Sequence, residues 1–281
     1  MTRSPIPSAQ SPIPNKGRPM DITPLQYVLA ILAGITAGII NTLAGSGSAV
    51  TLPMLVFLGL DAGVANATNR IGVVVQNIAG IATYQRSRKL DIGGSFWLTL
   101  PAMLGSVGGT YIATILDNDQ MEYAIGGMMV LILITILTNP DKWLRKHSEV
   151  KAGRPGLGVL ALFFVIGAYG GFLQAGVGVF LLAAMVLGAG YSMVHANAIK
   201  LVIVLMLTLV ALIVFIWSPV EINWGIGGLM AVGQSIGAWA AARFAVSVPN
   251  ANQYVRWLLI VVVIYSIFKF FGILDLLLGM L

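Results

Sequence analysis

From residue 25 to residue 281 the chain is a succession of apolar runs, broken only by short polar connectors. A helix needs roughly twenty residues to cross ~30 Å of hydrocarbon, and in lipid only helices or closed barrels satisfy their own backbone. Runs of helical length therefore predict an all-α polytopic membrane protein. The expected spans are 25–44, 64–84, 96–116, 123–138, 157–173, 194–217, 224–244 and 254–271. With 58% hydrophobic and 9% charged residues, no water-soluble domain fits between them.

The charges that remain give an orientation. Residues 1–24 are rich in Ser and Pro, carry Arg3, Lys16 and Arg18, and lack the apolar centre of a secretory signal. They read as a disordered cytoplasmic tail. The connectors at 85–89 and 141–154 are basic and the one at 117–120 is acidic, so the bias of Lys and Arg toward the cytoplasm places both basic connectors inside. Counting about four crossings per half then puts both termini in the cytoplasm and favours repeats related by an axis along the membrane normal. The net charge of +6 resides in these segments, which explains it without nucleic acid. There is no cysteine, which excludes disulfides, thiolate metal sites and cysteine nucleophiles. No metal or cofactor is expected, the bilayer is the one surrounding partner implied, and a homo-oligomer is left open.

A shift of 131 positions brings Gly45-x-Gly47 onto Gly176-x-Gly178 and, without a gap, Ala65-Asn66-Ala67 onto Ala196-Asn197-Ala198. With a further slip of about two or three, Gly105-x-x-x-Gly109 meets Gly233-x-x-x-Gly237. Two motifs with one spacing argue for duplication: a first repeat at 25–140, a cytoplasmic linker at 141–156 and a second repeat at 157–281. Around the Gly-x-Gly pairs the helical pattern breaks, and the apolar pieces that follow, 49–58 and 179–187, are too short to span. Each half is thus expected to hold a broken or re-entrant first helix. Interrupted helices at matching positions point to a transport site, because freed backbone N–H groups attract anions.

Two cations follow the breaks. Arg70 comes after Asn66, Thr68 and Asn69, while Lys200 comes after His195 and Asn197 and maps onto Asn69. A charge near the bilayer centre costs ~2.5–3.5 kcal/mol on insertion scales and needs a partner or a wet cavity. No Asp or Glu falls inside an expected span. Two unpaired cations beside two breaks call for an anionic ligand, so Arg70 and Lys200 are expected to face a central cavity. Backbone near Gly45, Ser46, Gly47, Gly176 and Gly178 and the amides of Asn66, Asn69 and Asn197, with the Thr68 hydroxyl, would complete the site. Gln76, Asn77, Gln174, Gln234 and Ser106 are secondary candidates, and His195, expected at a helix end, is a further candidate for substrate or proton contact. Trp97, Trp217, Trp224 and Trp257 fall near span ends and read as interfacial anchors.

At "ANATNRIGVVVQN" (65–77) and "GGFLQAGVGVFLLAAMVLGAGYSMVHANAIKLVIVL" (170–205) the chain resembles the sulfite exporter TauE/SafE family, also called the 4-toluene sulfonate uptake permease family. The resemblance covers roughly 26–271. It implies transport of small sulfur-containing anions, sulfite or organosulfonates, in a bacterial inner membrane. Asn66, Thr68, Asn69 and Arg70 lie on the first motif and Gln174, Gly176, Gly178, Asn197 and Lys200 on the second. Many members carry a longer glycine run where this chain has "AGSGSA" at 44–49.

The expected mechanism is alternating access, by rocking of the halves or movement of the broken helices. At 100 mV, negative inside, each charge is worth ~2.3 kcal/mol, so a dianion leaves with ~4.6 kcal/mol and needs no coupling ion. An anion channel would use the same cations and dipoles. A serine hydrolase built on Ser46 or Ser48 with His195 lacks both the nucleophile elbow and an orienting acid.

Overall fold

The computed structural model describes residues 24–44, 47–86, 92–138, 155–191, 193–247 and 251–273. Those residues are all-helical: α1 Pro24–Ala44, α2 Ser48–Phe57, α3 Ala62–Arg86, α4 Ile92–Ile115, α5 Asn118–Thr138, α6 Leu157–Phe172, α7 Val177–Ala183, α8 Met193–Trp217, α9 Trp224–Ser247 and α10 Ala251–Phe270. After α7 the chain continues into a π turn, Ala184–Gly188. Within the described residues, Phe96–Ile115, Asn118–Leu137 and His195–Trp217 are long and apolar enough to cross a membrane. Their outward sides carry Leu104, Tyr111, Ile112, Ile134, Ile213 and Ile216, all exposed. Large apolar side chains on the outside are what a lipid solvent selects.

Glycine stripes set the closest helix pairs. Gly34 and Gly38 of α1 abut Gly233, Gln234 and Ala238 of α9, and a Cβ on Gly237 would run into the Ile35 carbonyl. Gly105 and Gly109 of α4 meet Phe164 and Ala168 of α6, while Gly167 and Gly171 meet Ala102 and Ser106. Such small-residue seams let backbones touch where lipid supplies no hydrophobic drive. Each GxxxG brings its helix onto the first helix of the other half of the chain.

The same contacts fix directions. Residue numbers rise together across α1 and α9 and across α4 and α6, so both pairs are parallel. α3 is parallel to α9, since Thr68 and Ile71 meet Gly227 and Gly72 meets Gln234. It is antiparallel to α8, since Arg70 stacks on Phe215 whereas Gly80 meets Leu201. Consequently α1 and α3 point the same way, and the ten-residue α2 carries the chain back between them. α6 and α8 likewise share a direction, with α7 and its π turn as the return.

We call the face where α3 begins the upper face. α5 starts there too, because Asn118 accepts a bond from the Ala62 N–H at 2.8 Å. α10 ends there, with Phe270 and Phe271 beside Gly126 and Tyr123. The described chain therefore both begins and ends on the upper face, whereas the ends joined by the two basic connectors, those of α3 with α4 and α5 with α6, lie on the lower face. The termini expected in the cytoplasm, 1–23 and 274–281, and most of the two basic connectors lie outside the described residues.

Three buried clusters fill the bundle, one around Ile40, Leu52, Met121, Met129 and Phe215, one around Leu98, Phe163, Leu181, Ile199 and Leu207, and one around Ala30, Leu55, Leu60 and Met230. Trp97, Trp217, Trp224 and Trp257 are exposed near helix ends, as anchors should be.

Candidate functional site

A cavity of about 530 Å³ opens among α1, α3, α8, α9 and the two breaks. It lies toward the lower face: its α3 wall is Val73, Gln76, Asn77 and Gly80, and its α8 wall is Asn197, Lys200, Leu201 and Val204. Gly47 and Ser48, where α2 begins, line it from one side. Gln174, Gly176, Val177 and Gly178, where α6 gives way to α7, line it from the other. The start of α2 and the start of α7 thus border the same space. Gly176 sits at φ +70, a left-handed turn that favours glycine, and Gln174 takes φ +63 without that excuse.

Lys200 is the cation among the described lining residues, and no carboxylate lines the cavity with it. Its Nζ donates to Asn197 Oδ1 at 3.2 Å. Asn77 is anchored through its Nδ2 on the Val73 carbonyl at 2.7 Å. Gly47 N–H is held by Asn41 Oδ1 at 3.1 Å, which shapes the turn into α2.

Arg70 is elsewhere. It is fully buried, and its guanidinium donates to the Gly170 and Gly171 carbonyls, each at 2.7 Å, to Gln174 Oε1 at 3.0 Å and to Asn66 Oδ1 at 3.1 Å. The Phe215 ring lies 5.6 Å away on its face. These carbonyls belong to the last turn of α6, where a helix carries about half a negative charge. The counter-charge of the buried arginine is thus a helix end. The expectation that Arg70 and Lys200 share one cavity is met for Lys200 alone, because α6 stops beside Arg70 and its freed carbonyls occupy the guanidinium.

The other expected residues divide the same way. Asn66 Nδ2 donates to the Phe172 carbonyl at 2.6 Å, and Thr68 Oγ1 accepts from Asn223 N–H at 3.0 Å. Asn69 Oδ1 accepts from the Thr51 hydroxyl. All three are buried with Arg70 and away from the cavity. Gln76, Asn77, Gln174, Asn197, Gly47, Gly176, Gly178 and Gln234 line it. His195 is exposed at the start of α8 and does not. Ser106 is buried and donates to the Leu207 carbonyl at 2.9 Å. Gly45 and Ser46 lie outside the described residues.

Gln174 joins the two groups: it lines the cavity, accepts from Arg70 and donates through Nε2 to the Thr208 hydroxyl. The Tyr169 hydroxyl braces the same break by donating to the Ala175 carbonyl. Sequence reasoning missed Asn41, Thr208, Ser235 and Trp239. Thr208 had a signal, since the 131 shift maps it onto Asn77.

The sequence matches the sulfite exporter TauE/SafE family over residues 30–270. The chain is similar to the "probable membrane transporter protein ORF9" of Sinorhizobium sp, 26% identical over 84% of this chain and 89% of that one. It is also similar to the "probable membrane transporter protein YfcA" of Escherichia coli K12, 22% identical over 86% and 88%, and to the "probable membrane transporter protein YunE" of Bacillus subtilis, 21% identical over 82% and 90%. No solved structure matches. A match spanning most of the chain, on a helical bundle with lipid-facing apolar surfaces, settles the family: this protein is a member of the sulfite exporter TauE/SafE family of membrane transporters.

Proposed function

We propose that the protein is a secondary transporter that exports small sulfur-containing anions, of the sulfite or organosulfonate type, across the bacterial inner membrane, and that the cavity is its binding site. The observation that carries this reading is the convergence of Lys200, two helix breaks and the amides of Gln76, Asn77, Asn197 and Gln234 on one space without a lining carboxylate. Donors of this kind match the oxygens of a sulfite or sulfonate head, and charge-assisted bonds are the strong ones. About 530 Å³ falls in the ordinary range of ligand cavities. That volume admits such a head with bound water or a short organic group against Val73, Val204 and Trp239.

The topology supports alternating access. Assigning the basic connectors to the cytoplasm makes the lower face cytoplasmic, so the cavity faces inward and the start of α1 and the end of α10 face outward. α1–α2 and α6–α7 then read as re-entrant pairs entering from opposite sides, and the antiparallel α3 and α8 as the central helices of an inverted repeat. Because α1 packs on α9 and α6 on α4, the sequence halves are interlocked. The moving parts are the short helices and their breaks, rather than halves rocking as blocks.

An anion channel would use the same donors, but the Arg70 layer above the cavity favours a carrier with one side closed at a time. Binding decides between readings of the site. Purified protein is titrated with sulfite, thiosulfate, sulfate, short organosulfonates and acetate, and Lys200→Gln is expected to weaken the selected anion at least tenfold, as loss of a charged hydrogen bond should. Equal binding in both proteins, or binding of nothing in the panel, refutes the assignment.

A further inference from the structure

We propose that Asn66, Arg70, Ser106, Thr110 and Gln174 form the upper gate, closed in this structure, and that Arg70 Nε and Asn69 Nδ2 become anion donors when it opens. This rests on the transport reading above and assigns the second half of its site.

The 131 shift maps the cavity onto this layer. Asn197 falls on Asn66, Lys200 on Asn69 and Asn77 on Thr208, while the GxxxG register brings Gln234 close to Ser106. Equivalent positions are therefore open to a cavity in one place and sealed in the other. Asn197, Lys200 and Gln76 are half-buried, whereas Asn66, Arg70, Ser106, Thr110 and Thr208 are each 0% exposed.

The seal is polar. Thr110 donates to the Gly171 carbonyl at 3.0 Å, beside Arg70 on the same oxygen, and Asn66 holds Phe172. A permanent plug inside a bilayer is better made of apolar side chains, since buried polar networks are often no more stable than the hydrophobic packing that could replace them. Hydrogen bonds aimed at the end of a broken helix are contacts that can be exchanged when that helix moves. Two donors in the layer are also left over: Arg70 Nε and Asn69 Nδ2 are buried with no protein acceptor among the described residues. In an opened layer both are placed to meet an oxyanion, which reconciles the arginine in "NATNRIG" with anion transport. Gln174 couples the two states, because its strained backbone lies in the break and its amide touches both the cavity and Arg70.

The test exploits the absence of native cysteine in the 281 residues. Single-cysteine reporters Ser106→Cys, in the layer, and Ser235→Cys, at the cavity, are placed in the full-length protein in oriented membrane vesicles. Each is labelled from either side with a membrane-impermeant maleimide, with no anion added. In the otherwise unchanged protein Ser235→Cys is expected to label from the lower side and Ser106→Cys to label at least tenfold more slowly from the upper side. Arg70→Lys keeps the charge but loses the multiple bonds; it should raise upper-side labelling of Ser106→Cys at least tenfold and lower that of Ser235→Cys. Unchanged labelling at both reporters overturns the gate and makes Arg70 a fixed clamp. If Arg70→Lys does not fold, Thr110→Val removes one bond to Gly171 and should give a several-fold rise, and no rise again overturns the proposal. Since no anion is present, an open gate with no panel anion bound would sink the transport assignment alone, and lost binding in Lys200→Gln with static labelling would sink the gate alone.

Discussion

Replacing Arg70 with methionine keeps the length of the side chain and removes its guanidinium, and the structure says which atoms then suffer. The Gly171 carbonyl retains the Thr110 hydroxyl and the Phe172 carbonyl retains Asn66 Nδ2. The Gly170 carbonyl, Gln174 Oε1 and Asn66 Oδ1 lose the guanidinium they held at 2.7, 3.0 and 3.1 Å. Each buried acceptor left without a donor costs about 1–3 kcal/mol, so the three cost ~3–9 kcal/mol. Removing a buried cation also relieves its own desolvation, which offsets part of this, and the balance expected is a loss of ~2 kcal/mol. Reversible denaturation in mixed micelles, followed by fluorescence of the six tryptophans, measures it. Lys200→Met, at a half-buried position on the cavity wall, is the comparison and should change stability by less than ~1 kcal/mol. A variant at Arg70 as stable as the parent, or a cost at Lys200 equal to that at Arg70, would refute the account of the arginine as the counter-charge of a helix end.

Other outcomes follow from the packing. Gly237→Ala drives a Cβ into the Ile35 carbonyl and should cost about 1–3 kcal/mol by overpacking, read as a lower unfolding midpoint. Gly108→Ala on α4, where an added Cβ meets nothing within 4 Å, should be neutral or stabilising by up to ~1 kcal/mol; equal effects at the two glycines would contradict the seam. Asn223 caps α9 by accepting from Ile226 N–H at 3.0 Å, so Asn223→Ala should lose ~1 kcal/mol in the same assay.

Helix positions were legible because hydrocarbon thickness and glycine cost are local quantities. The expected 194–217 became Met193–Trp217, and the short pieces expected at 49–58 and 179–187 became Ser48–Phe57 and Val177–Ala183 with its π turn. Direction was not legible. Between Gln26 and Leu60 the chain carries no charge, so nothing near α1 or α2 told which side α1 starts from. The partners of Arg70 were invisible for a different reason. Backbone carbonyls exist at every residue, and only the folded position of the α6 end selects Gly170 and Gly171. Lys200 lines the cavity and donates to Asn197, and its expected place there was readable from charge and break alone.

The crossed pairing of α1 with α9 also bears on how the chain is made. Gly34 touches Gly233, and at about 5–20 residues per second the ribosome needs on the order of 10–40 s to deliver the second after the first. Throughout that interval the glycine seam of α1 faces lipid without its proper neighbour, a sticky surface that any other small-residue helix in the membrane can occupy. Long-range seams of this kind form late, so truncation after α5 should leave an inserted first half whose α1 remains open to capture by foreign helices and by quality-control proteases.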